Sequence, residues 1–233
     1  MQNETGRVPR FNLMERVGHW THAVACIFLL ATGLALVFSK YGDLMGPNVL
    51  RVFRTIHHGL GYVFVFVPLG ILLFGTGRTF LAWIKACFKW SKNDVGFLLG
   101  FPREFFGFKV QLPKQGKFNG GEKVNSLITM ATFWVMAVTG LIMLNPEGFS
   151  RTTMLTAYTL HAAGALTLGT VLIGHVYLAL LHPGSKESMK GMIWGTVSQK
   201  FAKEHHALWY DEVTSGGKAV KESGNGPQVI RKL

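Results

Sequence analysis

The sequence predicts an all-α integral membrane protein, a four-helix bundle with both termini in the cytoplasm, and three observations predict it. The first is composition: of 233 residues 48% are hydrophobic and only 15% charged, so the charges must be confined to a few segments. The second is where those charges are missing. Asp, Glu, Lys and Arg are absent from Val17–Ser39, Thr55–Gly77, Val124–Pro146 and Thr152–Ser185, each as long as the roughly 20 residues a spanning helix needs. The third is the sidedness of the basic residues between those blocks: alternate segments hold 20 Lys and Arg on one side against 4 on the other. Basic excess marks the cytoplasmic side. The net charge of +12 is therefore read as topology, and nucleic acid is excluded as a partner.

The elements follow in chain order. Residues 1–16 form a short polar cytoplasmic arm carrying Arg7, Arg10, Glu15 and Arg16, with no small-residue cleavage site behind it; the first helix, about 17–39, is expected to act as its own insertion signal. A connection from Tyr41 to Arg54 contains a Gly46-Pro47 turn, and the second helix runs over about 55–77. From Arg78 to Lys123 basic and aromatic residues alternate, among them Phe80, Trp83, Lys85, Phe88, Lys89 and Trp90. That pattern suits an amphipathic helix lying on the lipid surface, so 78–123 is an interfacial loop. Its second half, rich in Gly, Pro and Lys, leads into the third helix at about 124–146, and the fourth occupies about 154–182. The tail, 186–233, is polar and cytoplasmic, with a short helix from Met189 to Phe201 and a disordered end. No internal repeat is apparent. Cys26 and Cys87 are packing residues, and with neither a CxxCH segment nor a set of four cysteines any metal chemistry must use other ligands.

Nine histidines are present, and six fall in or at the ends of the helices: His19 and His22, His57 and His58, His161 and His175. Ionisable residues inside a membrane are costly and mark function. His161 and His175, 14 residues apart, return to within roughly 40° of one helix face about 21 Å apart along the axis. The topology then pairs His19 with His175 near the cytoplasmic surface and His57 or His58 with His161 toward the outer one. Any single histidine is explained by a hydrogen bond within a bundle; four in two depth-matched pairs point to two haems, each held by two axial imidazoles. Such irons have no open position and transfer electrons rather than bind gases. His22, one turn from His19, and His58, beside His57, are substitute ligands, while His182, His205 and His206 are read as surface or partner contacts. Zinc is disfavoured, since imidazole pairs at separate depths without carboxylate or thiolate make poor four-ligand sites. Gly18, Gly33, Gly59, Gly61, Gly140, Gly164 and Gly169 permit close helix approach.

Glu15-Arg16-Val17-Gly18-His19-Trp20, Ile56-His57-His58-Gly59-Leu60-Gly61, Phe118-Asn119-Gly120-Gly121-Glu122-Lys123, His161-Ala162-Ala163-Gly164 and His175-Val176-Tyr177, in this order and spacing, resemble the cytochrome b (gamma) subunit of membrane-bound respiratory formate dehydrogenase, of the di-haem cytochrome b family. The likeness runs over roughly residues 7–211 and includes His205-His206-Ala207-Leu208-Trp209-Tyr210 in the tail. It implies that 17–185 is a haem b domain, with His19 and His175 on the cytoplasmic-side haem iron and His57, rather than His58, and His161 on the outer one. It further implies a quinone pocket near the inner haem that involves Asn119 and Gly121, close to His175. The implied setting is the bacterial cytoplasmic (inner) membrane, with an iron–sulfur subunit and a molybdenum- or tungsten-containing catalytic subunit as partners. Electrons would pass from the iron–sulfur subunit through two b haems to menaquinone or ubiquinone.

Three other readings share parts of this pattern. A cytochrome b subunit of a related hydrogenase or sulfur-compound reductase complex would use the same bundle with different soluble partners. A stand-alone transmembrane reductase would need donor or metal-ion pockets at both surfaces, for which the sequence has no motif. A transporter or haem-free scaffold, in which the helix-four histidines relay protons or pack, is separated by haem content.

Overall fold

A computed structural model describes residues 6–41, 45–74, 77–182 and 184–222. Four long helices dominate it: α1 (Leu13–Tyr41), α2 (Pro47–Phe74), α5 (Gly120–Leu144) and α6 (Arg151–Leu180). At 1.5 Å per residue each spans about 37–45 Å, more than the roughly 30 Å hydrocarbon core, and all four are apolar enough to cross a membrane. Between 6% and 22% of each span is buried inside the protein, so most of their apolar surface, including Leu166, Ile173 and Phe66, faces outward, as a bundle surrounded by lipid requires.

Each helix begins before the charge-free block that announces it, and polar residues cap α1, α5 and α6. Asn12 Oδ1 accepts from Glu15 N–H at 2.8 Å while Glu15 Oε2 accepts from Asn12 N–H at 2.7 Å; Asn119 and Glu122 repeat this capping box at the start of α5. Pro47, expected in a turn, instead opens α2, where its missing N–H is harmless. Helix α3 (Gly77–Phe88) and α4 (Lys92–Phe105) make up the first part of the expected interfacial loop. They pack on α5, held by the ion pair of Lys123 with Asp94 at 2.7 Å.

The two halves of the bundle are repeats, contrary to the sequence expectation. A single offset of 107 residues carries Arg10-Phe11-Asn12-x-x-Glu15-Arg16-Val17 onto Lys117-Phe118-Asn119-x-x-Glu122-Lys123-Val124, and Thr32-Gly33-Leu34 onto Thr139-Gly140-Leu141. Helix α1 packs on α2 and α5 on α6. Their ends meet reciprocally: Arg10 pairs with Glu122 at 3.1 Å, Lys117 with Glu15 at 2.9 Å, and the Phe11 and Phe118 rings meet at 6.4 Å. This is the reciprocity of a two-fold contact. The likeness is concentrated in polar ends and one tripeptide, with unlike apolar residues between, which is why composition hides it.

The polar arm and tail are not separate extensions but one folded cap. Strand β1 (Arg7–Pro9) pairs antiparallel with β2 (Thr196–Ser198), and Val8, Val197, Phe201, Ala202 and Trp209 form a core beneath. The single helix expected over Met189–Phe201 is broken into α7 (Lys186–Trp194), β2 and α8 (Gln199–His205). Gly195 breaks it: its φ of +82° ends α7 in the left-handed region, and a Cβ there would stand 2.8 Å from the Phe11 carbonyl. That close approach lets Gly195 O accept from Arg10 and Phe11 N–H at 2.8 and 3.1 Å. A last helix, α9, covers Ala207–Glu222; the end expected to be disordered lies largely outside the described residues.

Candidate functional site

Two imidazole pairs stand at two depths in the bundle. Near the cap, His19 of α1 and His175 of α6 have ring centroids 6.2 Å apart; at the other end, His57 of α2 and His161 of α6 are 6.4 Å apart. Two imidazoles on one metal, with bonds of about 2.0–2.1 Å and ring centres roughly 1.1 Å behind the nitrogens, stand about 6.3 Å apart. Both pairs meet that spacing, so the donor set fits one six-coordinate iron at each depth. Among the described residues no group of three or more His, Cys, Asp or Glu could hold a metal ion; each imidazole pair supplies two donors.

The alternatives separate geometrically. His58 is exposed, and it is the His57 ring that faces His161. His22 stacks on Phe64 at 4.4 Å and lies 6.1 Å from Phe133, in the apolar layer that Ala25, Cys26, Phe64 and Leu168 form between the two pairs. Cys26 packs in that layer and Cys87 is fully buried.

Sequence reasoning missed the groups that hold the outer pair. Thr32 Oγ1 lies 2.8 Å from His57 Nδ1, and Thr139 Oγ1 lies 2.9 Å from His161 Nδ1; both threonines are buried. The next residue in each case is a glycine whose Cβ would meet the imidazole, 3.2 Å from His57 Cε1 at Gly33 and 3.6 Å from His161 Cε1 at Gly140. The signal available beforehand was the repeated Thr-Gly-Leu. At the pair near the cap the environment differs: among the described residues His19 Nδ1 is buried without a hydrogen-bond partner, and His175 is exposed.

Asn119 and Gly121 lie at the α5 N-terminus. The Asn119 carbonyl oxygen is committed to the cap through Glu122 N–H at 2.8 Å; a Cβ on Gly121 would meet that oxygen at 3.3 Å and Phe97 at 3.5 Å. Around them is a buried polar cluster. The Arg10 guanidinium donates to Lys117 O at 2.9 Å as well as to Glu122. Gln115 ties the preceding loop together, donating to Asn93 O and Pro113 O at 3.0 Å and accepting from Gly120 N–H at 3.1 Å.

Of the three cap histidines expected as surface or partner contacts, His205 is exposed, whereas His182 and His206 are buried. His206 is 1% exposed and hydrogen-bonds Gly116 O through Nδ1 at 2.8 Å; burial, with the Arg10 charge beside it, pulls its pKa down to about 4. His182 is also buried and stacks on Phe105 at 5.9 Å. A tail that reads as polar hides them because its few apolar residues close over this cluster.

Residues 10–195 match the sequence profile of the family described as prokaryotic cytochrome b561. The chain is 30% identical over 224 residues to the cytochrome b556(Fdn) subunit of the nitrate-inducible formate dehydrogenase of Escherichia coli K12, covering 94% of this chain and 97% of that one. It is 27% identical to the formate dehydrogenase cytochrome b556 subunit of Haemophilus influenzae, over 91% of this chain and 85% of that one. The cytochrome b556(fdo) formate dehydrogenase subunit of Escherichia coli K12 is also 27% identical, over 88% and 93% of the two chains.

Proposed function

The chain belongs to the prokaryotic cytochrome b561 family, a bacterial multi-pass membrane cytochrome b, and from that premise we propose that it is the membrane anchor and electron-transfer subunit of a formate dehydrogenase complex. In this reading it takes electrons from an iron–sulfur subunit and, with two b haems, delivers them to menaquinone or ubiquinone near the cytoplasmic side of the inner membrane. Formate oxidation belongs to a molybdenum- or tungsten-containing partner. The single observation that carries the reading is the two imidazole pairs, 6.2 and 6.4 Å across, at the two ends of one bundle.

His19 and His175 would hold the cytoplasmic-side haem, His57 and His161 the outer one, and haem held so would supply one-electron transfer. The chain's residues do the rest. The layer of Phe64, Leu168, Phe133 and the His22 ring keeps water from the space between the two sites. At the cytoplasmic end the Asn119 carbonyl is held in the helix cap, leaving its amide NH2 as the donor for a quinone oxygen. Gly121, without a side chain, keeps that approach open. Glu122, joined to Arg10, lies beside the same N-terminus, where a proton taken from the cytoplasm would pass. An electron carried inward against the potential works against about 2.3 kcal/mol per 100 mV.

The test is pyridine haemochrome analysis of the complex purified in mild detergent. Two haems b per chain are expected. A His175→Ala variant should lose one haem and formate-to-quinone turnover while keeping formate-to-dye activity. A well-folded preparation without haem, or normal quinone turnover in that variant, overturns the reading.

A further inference from the structure

We infer that Thr32 and Thr139 are positioning residues that fix the tautomer and basicity of the outer histidine pair, an inference that rests on His57 and His161 holding the outer haem. A threonine hydroxyl has one proton. Thr32 Oγ1 stands 2.7 Å from Phe28 O, and Thr139 Oγ1 2.6 Å from Val135 O; carbonyls only accept, so each hydroxyl spends its proton on the residue one turn back. What it then offers the imidazole is a lone pair. The contacts at 2.8 and 2.9 Å are hydrogen bonds only if Nδ1 carries the ring proton, which leaves Nε2 as the bare donor atom in both rings.

The arrangement occurs twice, once in each repeat, on positions related by the same 107-residue offset as the capping boxes. Each bond stays within its own hairpin, from α1 to α2 and from α5 to α6, while the rings face each other across the hairpins. Two separate copies of a buried threonine, each followed by a glycine that makes room for the ring, build one site. The inner pair lacks the device at His19, whose Nδ1 has no partner among the described residues.

The chemical consequence is directional. A donated Nδ1–H bond raises the basicity of a metal-bound imidazole and makes it a better ligand, favouring ferric over ferrous iron. Thr32 and Thr139 therefore lower the outer midpoint potential relative to the same pair without them. An electron arriving there is given up more readily to the inner site.

The experiment is a spectroscopic redox titration of the purified complex, with the outer component identified by its loss in His57→Ala. Thr32→Val and Thr139→Val keep the side-chain shape and remove the acceptor; Thr32→Ser and Thr139→Ser restore it. Each Val variant should raise the outer midpoint by the equivalent of up to about tenfold in ferric preference, about 59 mV for one electron, or shed the outer haem alone. The inner component should not move, and the Ser variants should titrate as wild type. An unshifted outer midpoint in both Val variants, an equal shift of both components, or Ser variants that behave like Val overturns the inference. Wild-type protein lacking two haems would instead sink the functional reading on which it rests.

Discussion

Arg10 and Lys117 occupy equivalent positions in the two repeats, yet their ion pairs are unequal in surroundings. The Arg10 side chain is fully buried, whereas Lys117 keeps 32% of its side-chain surface. Only the Arg10 side of its pair is buried, Glu122 keeping 33% of its side-chain surface, so Arg10→Met, which also frees the Lys117 carbonyl of its donor, should destabilise the folded protein by about 1–3 kcal/mol. Lys117→Met should cost under about 1 kcal/mol; thermal unfolding of both variants in one detergent compares them. His206 brings a pH dependence. Its folded-state value of about 4 lies below the ordinary 6.5, so the unfolded chain binds the extra proton between those values. The stabilisation is complete above about pH 6.5 and is lost as pH falls toward 4. His205, also lowered, chiefly by burial, acts in the same sense. Asp94 loses some ease of ionisation to burial, but Lys123 and Ser91 outweigh that and hold its carboxyl below the usual range, so it acts only in stronger acid. Proteolysis within 196–210 should accelerate from pH 6.5 to 4.5, and His206→Gln, which can still donate to Gly116 O, should flatten the profile.

Helices α1 and α5 both carry a glycine against an outer imidazole, at different clearance. A methyl at Gly33 would come within 3.2 Å of His57 and require it to give way, while 3.6 Å at Gly140 is ordinary contact with His161. Gly140→Ala should therefore retain two haems per chain, and Gly33→Val should lower the outer haem's occupancy, both read by haemochrome. The four spans were legible in the sequence because a bilayer forces every spanning segment to be long and apolar. The imidazole pairs were legible because a histidine in lipid needs a reason. Thr32 and Thr139 were not, since threonines in apolar helices ordinarily bond their own backbone and these do that as well. Three-residue strands such as Arg7–Pro9 and Thr196–Ser198 have no periodicity to read, and the turn that breaks the expected Met189–Phe201 helix rests on one glycine. His206 was misjudged because its burial is supplied by residues distant in the chain.

The whole molecule combines a repeated bundle with a one-sided end. The outer pair joins equivalent helices, α2 and α6, each steadied from its own hairpin; the inner pair joins unlike helices, α1 and α6, because Ser126 stands where the repeat would put a counterpart of His19. The cap closes that same end. The distribution of 20 basic residues against 4 predicts that it faces the cytoplasm. A reporter active only in the cytoplasm should therefore work when fused at the C-terminus, and one active only outside should work when inserted after Gly148. The β1–β2 pair has a consequence for biogenesis. Arg7–Pro9 is synthesised first but finds its partner only when Thr196–Ser198 emerges, on the order of 10–40 s later at about 5–20 residues per second. The fourth span ends at Leu180, so only the last few seconds of that interval, about 1–3 s at the same rate, fall after the four spans have been made and before the cap can shut, a brief window for haem insertion that the chain itself times.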